Sequence, residues 1–165
     1  MKIPSKIKFT NHSIRILREN LLSIAPAEGC ALLLGNHQGN LNTRKENEWQ
    51  VQIIWPCCNS WEFCNFNHFI KTESVNFSNN QKQSKENNFF IDPREQILAQ
   101  KWAREKDLVV LGSAHSHPSG EAVPSETDII RSSGESLMVI TDSLGNLQAW
   151  WIKNDHSIQN LECRY

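Results

Sequence analysis

Long hydrophobic runs are missing from these 165 residues. The longest apolar stretches, such as Ala31 to Leu34 and Leu137 to Ile140, fall far short of the ~20 residues a membrane-spanning helix needs. Met1-Lys2-Ile3-Pro4 opens no signal-peptide core either, so a cytoplasmic protein with no membrane partner is expected. An excess of one charge is also missing. With 17 Lys+Arg against 18 Asp+Glu and a net charge of -1, there is no broad positive field to meet a phosphate backbone, and nucleic acid is not an expected partner. The five cysteines, Cys30, Cys57, Cys58, Cys64 and Cys163, are odd in number and form no C-x-x-C pair, which argues against a zinc ribbon or a dithiol redox motif. Cys57, Cys58 and Cys64 can be drawn into a thiolate cluster, but no second pair of ligands stands nearby. Ordinary buried or half-buried thiols in a reducing compartment fit them better.

What is present suits one globular domain spanning residues 1–165. Hydrophobic residues make up 39% and charged residues 21%, enough for a single core, and no internal repeat is visible. Ile14, Leu17, Leu21 and Ile24 form a helical stripe over Thr10 to Ile24, with Thr10 or Asn11 as N-cap and Pro26 beyond the end. Glu28 to Gly35 reads as a buried strand. Glu48 to Trp55 reads as its antiparallel partner, stopped by Pro56. Asp92 caps the clearest helix, to Lys106, with Pro93 at its first position and Ile97, Leu98 and Trp102 on one face. Strands follow at Leu108 to Ala114 and Ser136 to Thr141, with a short helix from Pro124 between them. Two hairpins then lead through Leu147 to Lys153 and Ser157 to Cys163. Strands and helices mix without strict alternation, so a mixed α+β fold is expected, its mostly antiparallel sheet flanked by helices.

Two histidines carry the chemistry. In His115-Ser116-His117, at the end of a strand, side chains alternate faces, so both imidazoles point one way and Ser116 points the other. After the turn residues Pro118, Ser119 and Gly120, Ser125 and Asp128 begin a helix that returns towards the strand end. Two His and one Asp leave a tetrahedral zinc ion one position for water, as catalytic sites do. Ser125-x-x-Asp128 is also a helix-capping pattern, and the two roles can coexist. The full spacing arises by chance in a chain of this composition with a frequency of about 0.0005. Glu28, a carboxylate beside an apolar run, reads by itself as the solvated first residue of its strand.

H-S-H-P at His115 to Pro118, Ser125 and Asp128, with the upstream Glu28 in E-G-C-A-L-L-L-G, resembles the JAMM (MPN+) metalloprotease family, small single-domain prokaryotic type. Trp55-Pro56-x-x-Asn59 and Phe90-Ile91-Asp92-Pro93 match in order as well. The resemblance implies a JAMM fold of the cytidine-deaminase-like kind and one zinc ion per chain, held by His115, His117 and Asp128. It implies Glu28 as general base, assisting attack by a zinc-bound water, and Ser125 as the donor to the oxyanion or the group that orients the water. It further implies cleavage of a peptide or isopeptide bond after the C-terminal Gly-Gly of a ubiquitin-like β-grasp protein of the sulfur-carrier type. The residues leave two other readings open, a zinc amidase acting on a small molecule and a metal-stabilised binding module without catalysis. The intact Glu28 speaks against the module. Oligomeric state, a dimer included, is left open.

The chain departs from the smallest relatives between Trp61 and Asn88. Trp61, Phe63, Phe66, Phe69 and Phe77 precede or enter an Asn-rich stretch read as a surface loop over Ser74 to Asn88. These aromatics are expected either to pack on the core or to anchor a partner.

Overall fold

A computed structural model describes residues 3–38, 47–61, 84–132 and 134–165 of the chain. Its first element escaped the sequence reading. In β1 (Lys6–Phe9) only Ile7 and Phe9 turn inward, and four residues are too few for a period to register. α1 (Asn11–Leu22) follows with Thr10 as N-cap. The Thr10 hydroxyl accepts from the Ser13 N–H at 3.0 Å, and Ser13 Oγ accepts from the Thr10 N–H at 2.9 Å. Ile14, Leu17 and Leu21 are buried along its length, whereas Ile24 lies past its end and is exposed.

β2 (Cys30–Gln38) and β3 (Glu48–Cys57) pair antiparallel, as expected. Pro56 does not stop β3; it sits opposite Ala31 inside the ladder. β1 covers the other edge of β3 only from Glu48 to Val51, so the donor that proline lacks is not required there.

α2 (Pro93–Glu105) begins as expected, with the Asp92 carboxylate accepting from the Arg94 N–H at 2.8 Å and Pro93 in the first turn. Its buried face differs from the predicted one. Ala99 and Ala103 pack with Cys30, Leu32 and Leu34 of β2, while Ile97 and Leu98 are 63% and 53% exposed. Small residues let a helix approach a sheet closely; of the three side chains expected on the buried face, Trp102 packs against this cluster, while Ile97 and Leu98 turn outward.

β4 (Val109–His117) runs on through both histidines. α3 (Glu126–Arg131) is capped by Ser125, so Pro124 precedes the helix rather than starting it. β5 (Ser136–Asp142) turns through Asp142, whose carboxylate accepts from the Leu144 and Asn146 N–H groups, both at 2.9 Å. Gly145 supplies the φ of +81° that this turn requires. β6 (Leu147–Ile152) and β7 (Ile158–Arg164) follow.

The strands run β1-β3-β2-β4-β5-β6-β7 and close into a barrel, because β7 also pairs with β1. Most pairs are antiparallel; β1–β3, β1–β7 and β4–β5 are parallel. The expected mixed, mostly antiparallel sheet is therefore present, but it closes into a barrel and the helices do not clearly flank it. The short β1 bridges the two would-be edges. α1 buries Ile14, Leu17 and Leu21 in the same cluster as Ile7, Leu33, Val51, Val139 and Trp151 from the strands. Among the described residues no helix is long and apolar enough to cross a membrane.

Candidate metal centre

The centre grows from the carboxyl end of β4, where the chain leaves for α3 before returning as the parallel strand β5. Ser116 faces away from His115 and His117, as strand alternation requires. Its Oγ accepts from the Gly29 N–H at 2.8 Å and donates to the Leu21 carbonyl at 3.0 Å, and its own N–H donates to the Gly29 carbonyl at 3.0 Å. The serine between the histidines thus fastens β4 to the end of α1 and to the residue after Glu28. A Cβ on Gly29 would stand 2.7 Å from Leu21 Cα, so only glycine permits this approach.

Three ligand atoms converge on the opposite face. His115 Nε2 and His117 Nε2 are 3.0 Å apart, and Asp128 Oδ2 lies 3.4 Å from each. Ligands 2.0–2.1 Å from a tetrahedral zinc stand ~3.3–3.4 Å apart, so this triangle fits one face of such a site. Among the described residues this is the group whose donor atoms could hold a metal ion. The tautomer of His117 agrees. His117 Nδ1 lies 2.8 Å from the Glu121 carbonyl, which can only accept, so Nδ1 carries the proton and neutral His117 keeps its lone pair on Nε2. His115 is wholly buried and stacks on Phe89, with ring centroids 4.3 Å apart.

Asp128 is placed by its helix. Its Oδ2 accepts from the Ser125 hydroxyl at 2.7 Å and the Ser125 N–H at 2.8 Å, while its own N–H donates to Ser125 Oγ at 3.2 Å. The capping box and the metal triangle therefore share one carboxylate oxygen. Trp150 Nε1 donates to the Ala122 carbonyl at 2.8 Å and so holds the loop that carries Glu121.

Glu28 is not a solvated strand end. It is 4% exposed, and burial pushes its carboxyl up to about 8; His117 pulls the other way, Asp128 adds to the rise and Arg131 opposes it. These influences place it within electrostatic reach of the triangle. Burial pushes the His115 imidazole below its ordinary pKa, against the pull of Asp128. Burial also opposes charge on His117, but hydrogen bonds with Asp128 and the Glu121 carbonyl outweigh it and raise its pKa. Asp128 stays ionised, since both histidines and Ser125 overcome the cost of its burial.

Asn59 and Trp61 stand beside the centre in contacts that the sequence pattern does not specify. Asn59 Nδ2 donates to the Glu28 carbonyl at 3.0 Å and to the Asn88 carbonyl at 2.9 Å. Its Oδ1 accepts from the Trp61 and Phe90 N–H groups at 3.1 and 3.3 Å. Trp61 is buried beneath the Arg131 guanidinium, 4.2 Å from its ring centroid. Of the stretch expected as a surface loop, the described residues 84–88 form a turn with Glu86 and Asn87 exposed, tied to the centre where the Glu28 N–H donates to the Lys85 carbonyl at 2.7 Å. Phe63, Phe66, Phe69, Phe77 and Cys64 lie outside the described residues. Cys30, opposite Cys57 in the ladder, has its thiol pushed up by burial; Cys57 reaches about 12 for the same reason. Neither offers a ready thiolate.

The family described as prokaryotic homologs of the JAB domain matches residues 10–153. The chain is similar to the solution structure of a protein from Desulfitobacterium hafniense, with 25% identity and a TM-score of 0.69, over 95% of this chain and 90% of that one. It is also similar to the solution structure of a protein from Salinibacter ruber, with 21% identity and a TM-score of 0.59, again over 95% and 90%. A JAB1/MPN domain protein from Archaeoglobus fulgidus aligns with 16% identity and a TM-score of 0.46, over 97% and 99%. No curated protein matches the chain.

Proposed function

The chain belongs to the prokaryotic homologs of the JAB domain, and on that premise we propose that it is a zinc-dependent peptidase. Its substrate in this reading is the extended Gly-Gly tail of a ubiquitin-like β-grasp protein, cut at the peptide or isopeptide bond that follows. The observation that carries the proposal is the buried carboxyl of Glu28 within electrostatic reach of three converging ligand atoms.

His115 Nε2, His117 Nε2 and Asp128 Oδ2 would hold the ion. Bound there, a zinc ion would polarise a carbonyl oxygen and make water acidic near neutral pH. In its ionised form Glu28 would take a proton from the attacking water and deliver it to the leaving amine; one water is consumed, one C–N bond breaks, and a carboxylate and an amine result. Ser125 Oγ, 2.7 Å from Asp128 Oδ2, stands at the rim of the triangle and would donate to the oxygen of the attacked carbonyl by turning its one O–H away from Asp128, which keeps the bond from the Ser125 N–H. An extended substrate has a place to dock. Past Val51 the β1 side of β3 is unpaired among the described residues, and Cys57 at its end shares a row with Cys30 and His115. Glycines suit a tail that must approach a buried centre closely.

The test is to incubate zinc-loaded protein with β-grasp proteins carrying C-terminal extensions and to read intact masses. Cleavage after Gly-Gly, lost in Glu28→Gln, is the expected result. Cleavage of small amides alone would identify an amidase of small molecules, and stable binding without product would identify a non-catalytic module.

A further inference from the structure

We propose that Asn59 is a positioning residue that fixes the backbone of Glu28 and, through residues 84–90, the wall against which His115 packs. The proposal rests on the reading of Glu28 as general base, but its geometry stands independently. Asn59 is buried, and all four of its hydrogen-bonding positions are used: two N–H bonds to the carbonyls of Glu28 and Asn88, and two bonds accepted from the N–H groups of Trp61 and Phe90. Every partner is a backbone group, and they come from three separate stretches, before β2, after β3 and before α2. A side chain filled in this way specifies one arrangement of three segments, because any other leaves buried polar groups unmet.

The consequence reaches both halves of the centre. Residues 84–90, held at Asn88 and Phe90, supply the Lys85 carbonyl that accepts from the Glu28 N–H at 2.7 Å, and the Phe89 ring that stacks on His115. A further bond, from the Ser60 N–H to the Phe90 carbonyl at 2.9 Å, closes the same junction. Glu28 is thus gripped at its N–H and its carbonyl, and Ser116 grips the next residue at Gly29. Asn59 touches neither the carboxylate of Glu28 nor a ligand atom in any of these bonds. It acts on proton transfer through the backbone.

Asn59→Ala removes all four bonds. Asn59→Asp keeps the acceptor for Trp61 and Phe90 and loses the donors to Glu28 and Asn88, so it serves as the second variant should the first not fold. Amide hydrogen exchange is read on the whole zinc-loaded chain, with zinc stoichiometry alongside. Exchange at the Glu28 N–H is expected to speed up by about tenfold or more in either variant, while Val139 and Trp151 in the barrel keep wild-type protection. Zinc content is expected to stay at the wild-type level. With a substrate the wild type turns over, kcat is expected to fall on the order of 10²-fold with KM within about twofold. Unchanged Glu28 exchange in both variants would overturn the proposal. So would loss of protection spread evenly over the barrel, or a rise in KM with kcat intact. If the wild type cleaves nothing, the peptidase reading falls alone, since the exchange experiment still decides the role of Asn59.

Discussion

His117 Nδ1 donates to the Glu121 carbonyl at 2.8 Å, and that bond leaves the lone pair of neutral His117 on Nε2, facing His115 and Asp128. The loop between β4 and α3 is therefore part of the centre. It is held in turn by the indole N–H of Trp150 on the Ala122 carbonyl.

Trp150→Phe keeps the ring and removes that donor. Zinc affinity is expected to weaken on the order of tenfold, the size typical of an outer-shell partner, with the fold retained. Titration against a competing chelator, with circular dichroism as the control, measures this. Equal affinity would mean that the loop holds its course without Trp150.

Glu28 sets a pH dependence in the metal-free protein. Its carboxyl keeps its proton up to about pH 8 when folded, against an ordinary value of 4.5. The folded state then binds more protons between these limits, so the contribution to stability is fully present below pH 4.5 and is lost as pH rises towards 8. Glu28→Gln is neutral throughout. Relative to wild type it should gain on the order of 5 kcal/mol between pH 4.5 and pH 8.5, the other groups cancelling in the difference. Denaturant unfolding in chelator at both pH values checks this, and a constant gap between the two proteins would contradict it.

Ser116→Ala strips the bonds to the Gly29 N–H and the Leu21 carbonyl from a fully buried site. A cost of about 1–3 kcal/mol is expected, with zinc still bound. Melting temperature should drop by about 2–4 °C for each kcal/mol lost, which calorimetry reads directly. A mutant as stable as wild type would show that water replaces the hydroxyl.

The two faces of α2 should respond oppositely. Ala99→Leu overfills the contact with β2 and should cost about 1–3 kcal/mol, whereas Ile97→Ser on the outer face should change stability by less than about 0.5 kcal/mol. Matched urea unfolding curves decide it, and a large loss in Ile97→Ser would place the important face where the sequence pattern first suggests.

That contrast shows where sequence pattern carries and where it stops. The ligand set is legible because strand alternation at His115 and His117 and the cap at Ser125 and Asp128 are local rules, and the fold only has to bring two neighbouring elements together. The antiparallel pairing of β2 and β3 and the first helix are local in the same sense. Barrel closure is not. It depends on Lys6–Phe9 meeting both β3 and β7, pairings between distant parts of the chain that leave no trace in a four-residue strand. The face of α2 misleads because bulk is a poor guide to burial when two alanines let the helix sit close. Asn59 stands in the Trp55-Pro56-x-x-Asn59 segment, yet its role is not legible there, because its partners are backbone groups, which carry no residue identity.

The central claim is that His115, His117 and Asp128, and no thiol, hold the metal. X-ray absorption at the zinc edge on loaded protein, with metal quantified in wild type and His117→Ala, tests it most directly. The expected result is about one zinc per chain with nitrogen and oxygen scatterers at ~2.0–2.2 Å, lost in His117→Ala. Full zinc retention in His117→Ala, or sulfur at ~2.3 Å, would contradict it.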